Sequence, residues 1–326
     1  MAKYLITGIA GFIGSSLARA VLARGDEVRG IDNFSTGKRE NIAEIVNRID
    51  FREADILEMD AAHSACQDID YLFHEAAIPS VPRSVIDPLA SNRANVDATV
   101  NVLVAARDAK VKRVIYAASS SAYGDTPTLP KREDMLPNPI SPYATAKLAG
   151  EYYMTSFYRC YGLETVSLRY FNVFGPRQDP SSPYSGVLAK FITQMLQGEQ
   201  PTIFGDGKQS RDFTYVDNVV EANLLACKVE GKEVVGRVFN VATNQRTDLY
   251  QTVQILKRLT GYSGDAKYAQ ERAGDVKHSL ADISRAGQHL GYKPKVDFEE
   301  GLRRTIEWYR GCELEPQFAK PETRHD

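Results

Sequence analysis

Apolar residues fall in short runs separated by stretches of helical period, and the two alternate from the start of the chain. Residues 3–7, KYLIT, are such a run, and GIAGFIG then leads directly into the helical spacing of SSLARAVLARG. EVRGID, FREADI and DYLFHEAA (70–77) read as three more strands, the last apolar enough to be buried on both faces of a parallel sheet. From Asn92 to Lys110 the period is helical, with Val96, Val100, Leu103 and Val104 on one face. RVIYAASSS is a fifth strand, delivering serines at its carboxyl end. Residues 125–142 are rich in Pro and turn formers and predict a loop. A helix follows, because Ala144, Ala146, Leu148 and Ala149 favour it and Pro142 suits a first turn. LETVSLRYFNVFG gives a sixth strand. Strands alternating with helices predict an α/β fold, a Rossmann-type doubly wound parallel sheet.

The pattern changes after about Gly175. PRQDPSSPYSG is a polar, proline-rich loop, VLAKFITQMLQG a helix, and PTIFGDGKQSRDFTYV reads as a hairpin around Gly205–Gly207. DNVVEANLLACK is helical, RVFNVA a strand and LYQTVQILKRLTG a helix. We therefore expect a dinucleotide-binding domain over 1–175. A smaller α/β substrate-holding domain takes 176–312, with parts of 213–245 returning to the first. The polar segment 313–326 reads as a mobile tail.

Composition narrows the classes. The chain has 326 residues, 43% hydrophobic and 25% charged, which suits a globular protein with a sizeable core. A formal charge of −2 gives no reason to expect nucleic acid or a membrane surface as partner. No run reaches the roughly 18 apolar residues of a membrane span, and the N-terminus lacks the layout of a secretory signal. Cys66, Cys160, Cys227 and Cys312 are widely spaced and read as reduced thiols of a cytoplasmic protein. The histidines show no metal-ligand spacing, so no metal is expected.

Two constellations carry chemistry. Gly8, Gly11 and Gly14 lie between a strand and a helix, where backbone N–H groups and the helix dipole favour a pyrophosphate. Asp32 ends the next strand, about 20 residues on, where an acid binds a ribose 2′-hydroxyl and repels a 2′-phosphate, favouring NAD over NADP. Asp55 ends the third strand and could contact the adenine. Phe12, Ile13, Asn33, Ile56, Ala76 and Ala77 flank these positions and belong to the same expected cofactor set. The second constellation is Tyr143-x-x-x-Lys147, preceded by Ser119, Ser120 and Ser121. Residues four apart share a helix face, so hydroxyl and ammonium can reach one pocket. A nearby cation favours the phenolate and brings tyrosine toward use as a base at neutral pH.

TGIAGFIG, the acid at 32, ASSSAYG, YATAK, RYFNVFGP and SRDFTYVDN together resemble the extended short-chain dehydrogenase/reductase family, and within it the nucleotide-sugar 4-epimerases. The resemblance covers roughly residues 3–310. It implies Tyr143 as catalytic base, Lys147 as the lysine that binds the nicotinamide ribose and lowers the tyrosine pKa, and Ser119 as the hydroxyl on the sugar 4-oxygen, with Ser120 and Ser121 as partial substitutes. It also implies Asn172, Arg211, Arg272 and Asp275 as residues holding the UDP end, with Val187, in PYSGVL, beside them. Relatives that eliminate water or carboxylate carry an acid shortly before the Tyr-Gly pair; here Ser120 and Ser121 stand before Tyr123 and Gly124. That favours epimerisation with a tightly held, recycled NAD. Ser279 matches a position that limits space near the sugar C2, and its small size points to UDP-GlcNAc/UDP-GalNAc, with UDP-Glc/UDP-Gal also accepted. UDP-glucuronate is the rival substrate, with Arg83, Arg177 or Lys190 to meet its carboxylate. A non-catalytic dinucleotide-sensing protein is the rival class, though the Tyr–Lys pair and Ser119 are intact. The resemblance further implies a homodimer through a four-helix bundle of helices 92–110 and 143–160, where Tyr152, Tyr153, Phe157 and Tyr158 supply apolar area.

Overall fold

The computed structural model describes residues 1–180, 186–270 and 277–313; Arg272, Asp275 and the expected tail beyond 313 lie outside them. In chain order the first half contains β1 (Lys3–Thr7), α1 (Phe12–Ala23), β2 (Glu27–Asp32), β3 (Asp50–Glu53), α2 (Met59–Cys66), β4 (Tyr71–His74), α3 (Val81–Ile86), α4 (Pro88–Asn92), α5 (Ala98–Asp108), β5 (Arg113–Ser119), α6 (Pro142–Tyr161) and β6 (Glu164–Tyr170). The second half contains β7 (Val173–Phe174), α7 (Val187–Leu196), β8 (Thr202–Phe204), β9 (Ser210–Arg211), β10 (Thr214–Tyr215), α8 (Val216–Lys228), β11 (Arg237–Val241), β12 (Thr247–Asp248), α9 (Leu249–Thr260), β13 (Lys267–Ala269), α10 (Ser284–Leu290) and α11 (Phe298–Glu313).

Seven strands form one sheet in the order β11-β6-β5-β4-β1-β2-β3, and every pairing is parallel. A parallel sheet must be covered on both faces, which is why its strands read as unbroken apolar runs. On one face Leu5, Leu72, Val114 and Tyr116 pack with residues of α2, α5 and α6. On the other, Ile6, Phe73, Ile115 and Leu168 meet α1 and α8, and this core continues into α7, α9 and α11 through Phe191, Leu256 and Ile306. Each such side chain contributes about 1.5–3 kcal/mol when fully buried. The fold is the doubly wound sheet that the alternation predicts, and β11 joins it from the far half of the sequence, beside β6.

Three expectations need correction. The helix expected over 92–110 begins earlier, as α4, passes through a wide turn at Arg93–Asp97 and ends as α5 at Asp108. The sixth strand is interrupted, because Asn172 takes φ 37°, a left-handed conformation that asparagine tolerates. The hairpin around Gly205–Gly207 does not form. Instead β8 pairs in parallel with β13, β9 antiparallel with β12, and β10 in parallel with β7. Each of those strands is two or three residues long, too short for its own turn to select a partner, and distant chain supplies one.

Helix α6 carries the Tyr–Lys pair and is delimited at both ends. The Ser141 hydroxyl accepts from Ala144 N, Pro142 stands in the first turn, and Gly162 closes the helix at φ 72°. Its middle is fixed to β6 by Glu151 and Arg169, a bidentate pair with Nε–Oε1 2.9 Å and Nη2–Oε2 2.7 Å, both side chains buried. Among the described residues no helix is long and apolar enough to cross a membrane, and no cluster of His, Cys, Asp and Glu is arranged to hold a metal.

Candidate active site

The carboxyl ends of the parallel strands open on a cavity of about 960 Å³. At one end lies the glycine turn. Gly8 has φ 68°, and a Cβ there would sit 2.8 Å from the Ala76 backbone N, so only glycine lets β1 and β4 approach this closely. Gly14 is as confined, since a Cβ would overlap the Gly8 carbonyl oxygen. Helix α1 starts at Gly11 with no side chain capping its first N–H groups. Uncapped amides at a positive helix end are a site for an anion.

All the expected cofactor positions line this cavity: Gly8, Gly11, Phe12, Ile13, Gly14, Asp32, Asn33, Asp55, Ile56, Ala76 and Ala77. The Asp32 carboxylate accepts from Ala10 N and from Phe34 N, both at 2.8 Å, and burial pushes its pKa up. Asn33 donates to Asp55 at 2.9 Å, joining the ends of β2 and β3. The residues present fit NAD: an uncapped helix end behind two glycines that admit no side chain, with a carboxylate at the tip of the second strand.

At the other end Ser119, Tyr143 and Lys147 line the same cavity. Ser121 Oγ donates to Ser119 Oγ at 2.8 Å, and of the three serines it is Ser119 that is hydrogen-bonded to Tyr143. Neither Ser120 nor Ser121 reaches the cavity wall. Lys147 is buried, donates to the Ala117 carbonyl at 2.8 Å and lies over the Tyr116 ring at 4.9 Å. Burial lowers its pKa to about 8, against the opposing fields of Glu75 and Glu151. The expected depression of Tyr143 by Lys147 does not emerge: burial pushes the Tyr143 hydroxyl above its ordinary value, with the Ser119 hydrogen bond working the other way. Desolvation of the half-buried hydroxyl at the cavity wall dominates, and the Lys147 ammonium is directed to the Ala117 carbonyl.

The expected substrate residues divide. Asn172 lines the cavity, anchored by donating to Asp212 O and Ser279 Oγ, both at 3.0 Å. Ser279 stands behind Asn172 rather than on the wall, and also accepts from Asp212 N at 3.3 Å. Arg211 donates to the carbonyls of Ser210 and Lys277, away from the wall, and Val187 is represented there by its neighbour Gly186. Glu75, Tyr170, Arg83 and Arg93 also line the cavity. Glu75 was not found by sequence reasoning, although its place just past the apolar run of β4, at the carboxyl end of a parallel strand, was a usable signal.

A dinucleotide cleft joined to a Ser–Tyr–Lys group defines a nicotinamide-dependent enzyme of the short-chain dehydrogenase/reductase kind. The chain belongs to the NAD dependent epimerase/dehydratase family, whose profile matches residues 4–242. A UDP-glucose 4-epimerase of Mycolicibacterium smegmatis is 39% identical over 312 residues, covering 94% of this chain and 98% of that protein. The solved UDP-N-acetylglucosamine 4-epimerase of Methanobrevibacter ruminantium, in complex with UDP-N-acetylmuramic acid, is 41% identical with a TM-score of 0.91, covering 95% of this chain and 98% of that one. The UDP-glucuronic acid 4-epimerase of Bacillus cereus, in complex with UDP-glucuronic acid and NAD, is 35% identical with a TM-score of 0.87, covering 95% and 99%.

Proposed function

We propose that this chain inverts the configuration at C4 of a UDP-sugar through a 4-keto intermediate, acting on UDP-GlcNAc/UDP-GalNAc and also accepting UDP-Glc/UDP-Gal. The observation that carries the proposal is the meeting of Ser119, Tyr143 and Lys147 on one cavity wall, with serines at 120 and 121 where elimination would need an acid. The glycine turn, Asp32 and Lys147 would hold NAD, which when bound would supply the hydride chemistry at C4. Tyr143 takes the proton of the sugar 4-hydroxyl and later returns it. Ser119, already hydrogen-bonded to Tyr143, steadies that oxygen. Glu75 lines the same cavity, with Tyr170 Oη donating to its Oε1 at 2.8 Å. Asn172, with Arg211, Arg272 and Asp275, holds the UDP end while the sugar turns and presents its other face.

Support for the N-acetylated pair is the small residue at 279, the position that the family resemblance puts near the sugar C2, here accepting from Asn172 at 3.0 Å. The glucuronate reading has one favourable observation, Arg83 on the cavity wall. Arg177 does not favour it, since its Nη2 donates to Ser16 on α1 at 3.0 Å, on the cofactor side. The test is to incubate the protein, without added cofactor, with UDP-GlcNAc, UDP-Glc and UDP-GlcA separately and resolve products by proton NMR. UDP-GalNAc in the first tube is the expected result. UDP-Gal alone would remove the Ser279 argument, and change only in the third tube would move the substrate to glucuronate. No product in any tube, with NAD bound, would sink the epimerase and favour the dinucleotide-sensing class.

The proposal includes a homodimer built on α4, α5 and α6. Of the four aromatics expected there, Phe157 is buried in the chain's own core and Tyr158 packs against Gly236, whereas Tyr152 and Tyr153 are exposed and Tyr153 shares a surface groove with Val96 and the exposed Ile140. Grouped exposed apolar residues of this kind mark association surfaces. Sedimentation at micromolar concentration is expected to give the mass of two chains, and a monomer would refute the arrangement.

A further inference from the structure

One carboxyl group at the reacting end of the cavity, Glu75, has no ion-pair partner among the described residues. Glu75 follows His74 at the carboxyl end of β4, and successive strand residues face opposite ways. His74 contacts Thr99 and Tyr116, so Glu75 is directed to the other face, where Tyr170 Oη donates to its Oε1 at 2.8 Å. Asn223 donates to the Tyr170 hydroxyl at 2.8 Å and fixes it in turn. Among the described residues no Lys, Arg or His is within ion-pair distance of the Glu75 carboxylate. Lys147 acts on it only through its field, its ammonium being directed to Ala117 O. A half-buried carboxylate without an ion-pair partner is unfavourable, and desolvation pushes Glu75 up to about 7. The position is also informative. Its backbone abuts the glycine turn, where a Cβ on Gly8 would lie 3.1 Å from the Glu75 carbonyl carbon, while Tyr143 and Lys147 line the cavity beyond it. A dinucleotide that starts at the glycine turn and reaches Tyr143 must pass Glu75.

We propose that Glu75 is the counter-charge of the oxidised nicotinamide ring and holds the bound cofactor toward its oxidised state. The inference rests on the NAD-dependent reading of the site. A hydride moving from the sugar C4 brings the ring two electrons and one proton and removes its positive charge; the return step restores that charge. A carboxylate beside the ring therefore favours the oxidised side. The hydride goes back to the 4-keto sugar, rather than leaving a reduced enzyme from which the keto sugar departs.

The test is the midpoint potential of the bound cofactor, measured on the holoenzyme without any sugar by equilibration with redox mediators and absorbance near 340 nm. An opposite charge at about 4–6 Å shifts an ionisation by roughly 1–3 units, so Glu75→Gln should change the oxidised-to-reduced ratio about tenfold toward reduced, or about +30 mV for a two-electron couple. Glu75→Asp, which keeps the charge, should stay within about threefold of the parent ratio, and Glu75→Met is read like Glu75→Gln if the latter does not fold. An unchanged potential in Glu75→Gln overturns the inference. Equal shifts in Glu75→Asp and Glu75→Gln also overturn it, because loss of the Tyr170 contact rather than of charge would then be responsible. A protein that carries no NAD would overturn the cofactor reading beneath it, an outcome distinct from the other two.

Discussion

Replacing Tyr143 by phenylalanine is expected to lower kcat by at least ~10²-fold on whichever UDP-sugar the enzyme turns over, the lower end for loss of a general base. The substitution removes one oxygen and keeps the ring. The hydroxyl's hydrogen-bond partner, Ser119, retains a second contact in Ser121, so the cavity should keep its shape. Fold and NAD content should therefore be unchanged, and the loss should appear in kcat rather than KM, as for an interaction made in the transition state. Steady-state rates with circular dichroism and cofactor absorbance as controls decide it. Near-normal turnover would remove Tyr143 from the mechanism.

The second large effect is expected on stability. Arg169→Met leaves the Glu151 carboxylate buried with neither of its two guanidinium contacts, and removing one member of a buried pair costs about 3–5 kcal/mol. Arg169 also stacks over the Tyr123 ring at 4.6 Å, and Tyr123 donates to Asn240 on β11 at 2.7 Å. The pair thus links the catalytic helix to two strands of the sheet. Urea unfolding should show the loss, and the double variant Arg169→Met, Glu151→Leu should recover a good part of it because no charge is then stranded. A loss below about 1 kcal/mol in Arg169→Met would mean that Glu151 escapes by taking up a proton, the direction in which burial already pushes it. Glu151 is also one of two carboxylates whose fields support the charge on Lys147, so the same variant is a probe of the site from behind.

Much of the site was legible in the sequence because its signals are local. The glycine turn, Asp32 and the helix bearing Tyr143 and Lys147 each follow from residues within a few positions of one another, where backbone geometry and helical period act without tertiary help. The doubly wound parallel sheet followed from the alternation of strands and helices, whereas its strand order appears only in the structure. The failures were non-local. The segment around Gly205–Gly207 has the composition of a hairpin, yet its strands are claimed by residues 247–248 and 267–269, a pairing that no local propensity encodes. Phe157 and Tyr152 look alike as positions on one helix, and only packing decides that the first enters the core and the second faces outward.

The sequence by itself determined that this chain builds a dinucleotide-binding sheet and sets Tyr143 and Lys147 on one helix face downstream of Ser119, because both depend on short spacings. Tertiary structure alone decided which serine meets Tyr143, that Ser279 is bonded to Asn172, that Glu75 lines the cavity and that Arg169 pairs with Glu151. Those outcomes depend on charges and hydrogen bonds brought together from segments far apart in the chain, and on burial, which sets the ionisation of Tyr143, Lys147 and Glu75 and has no counterpart in the order of residues.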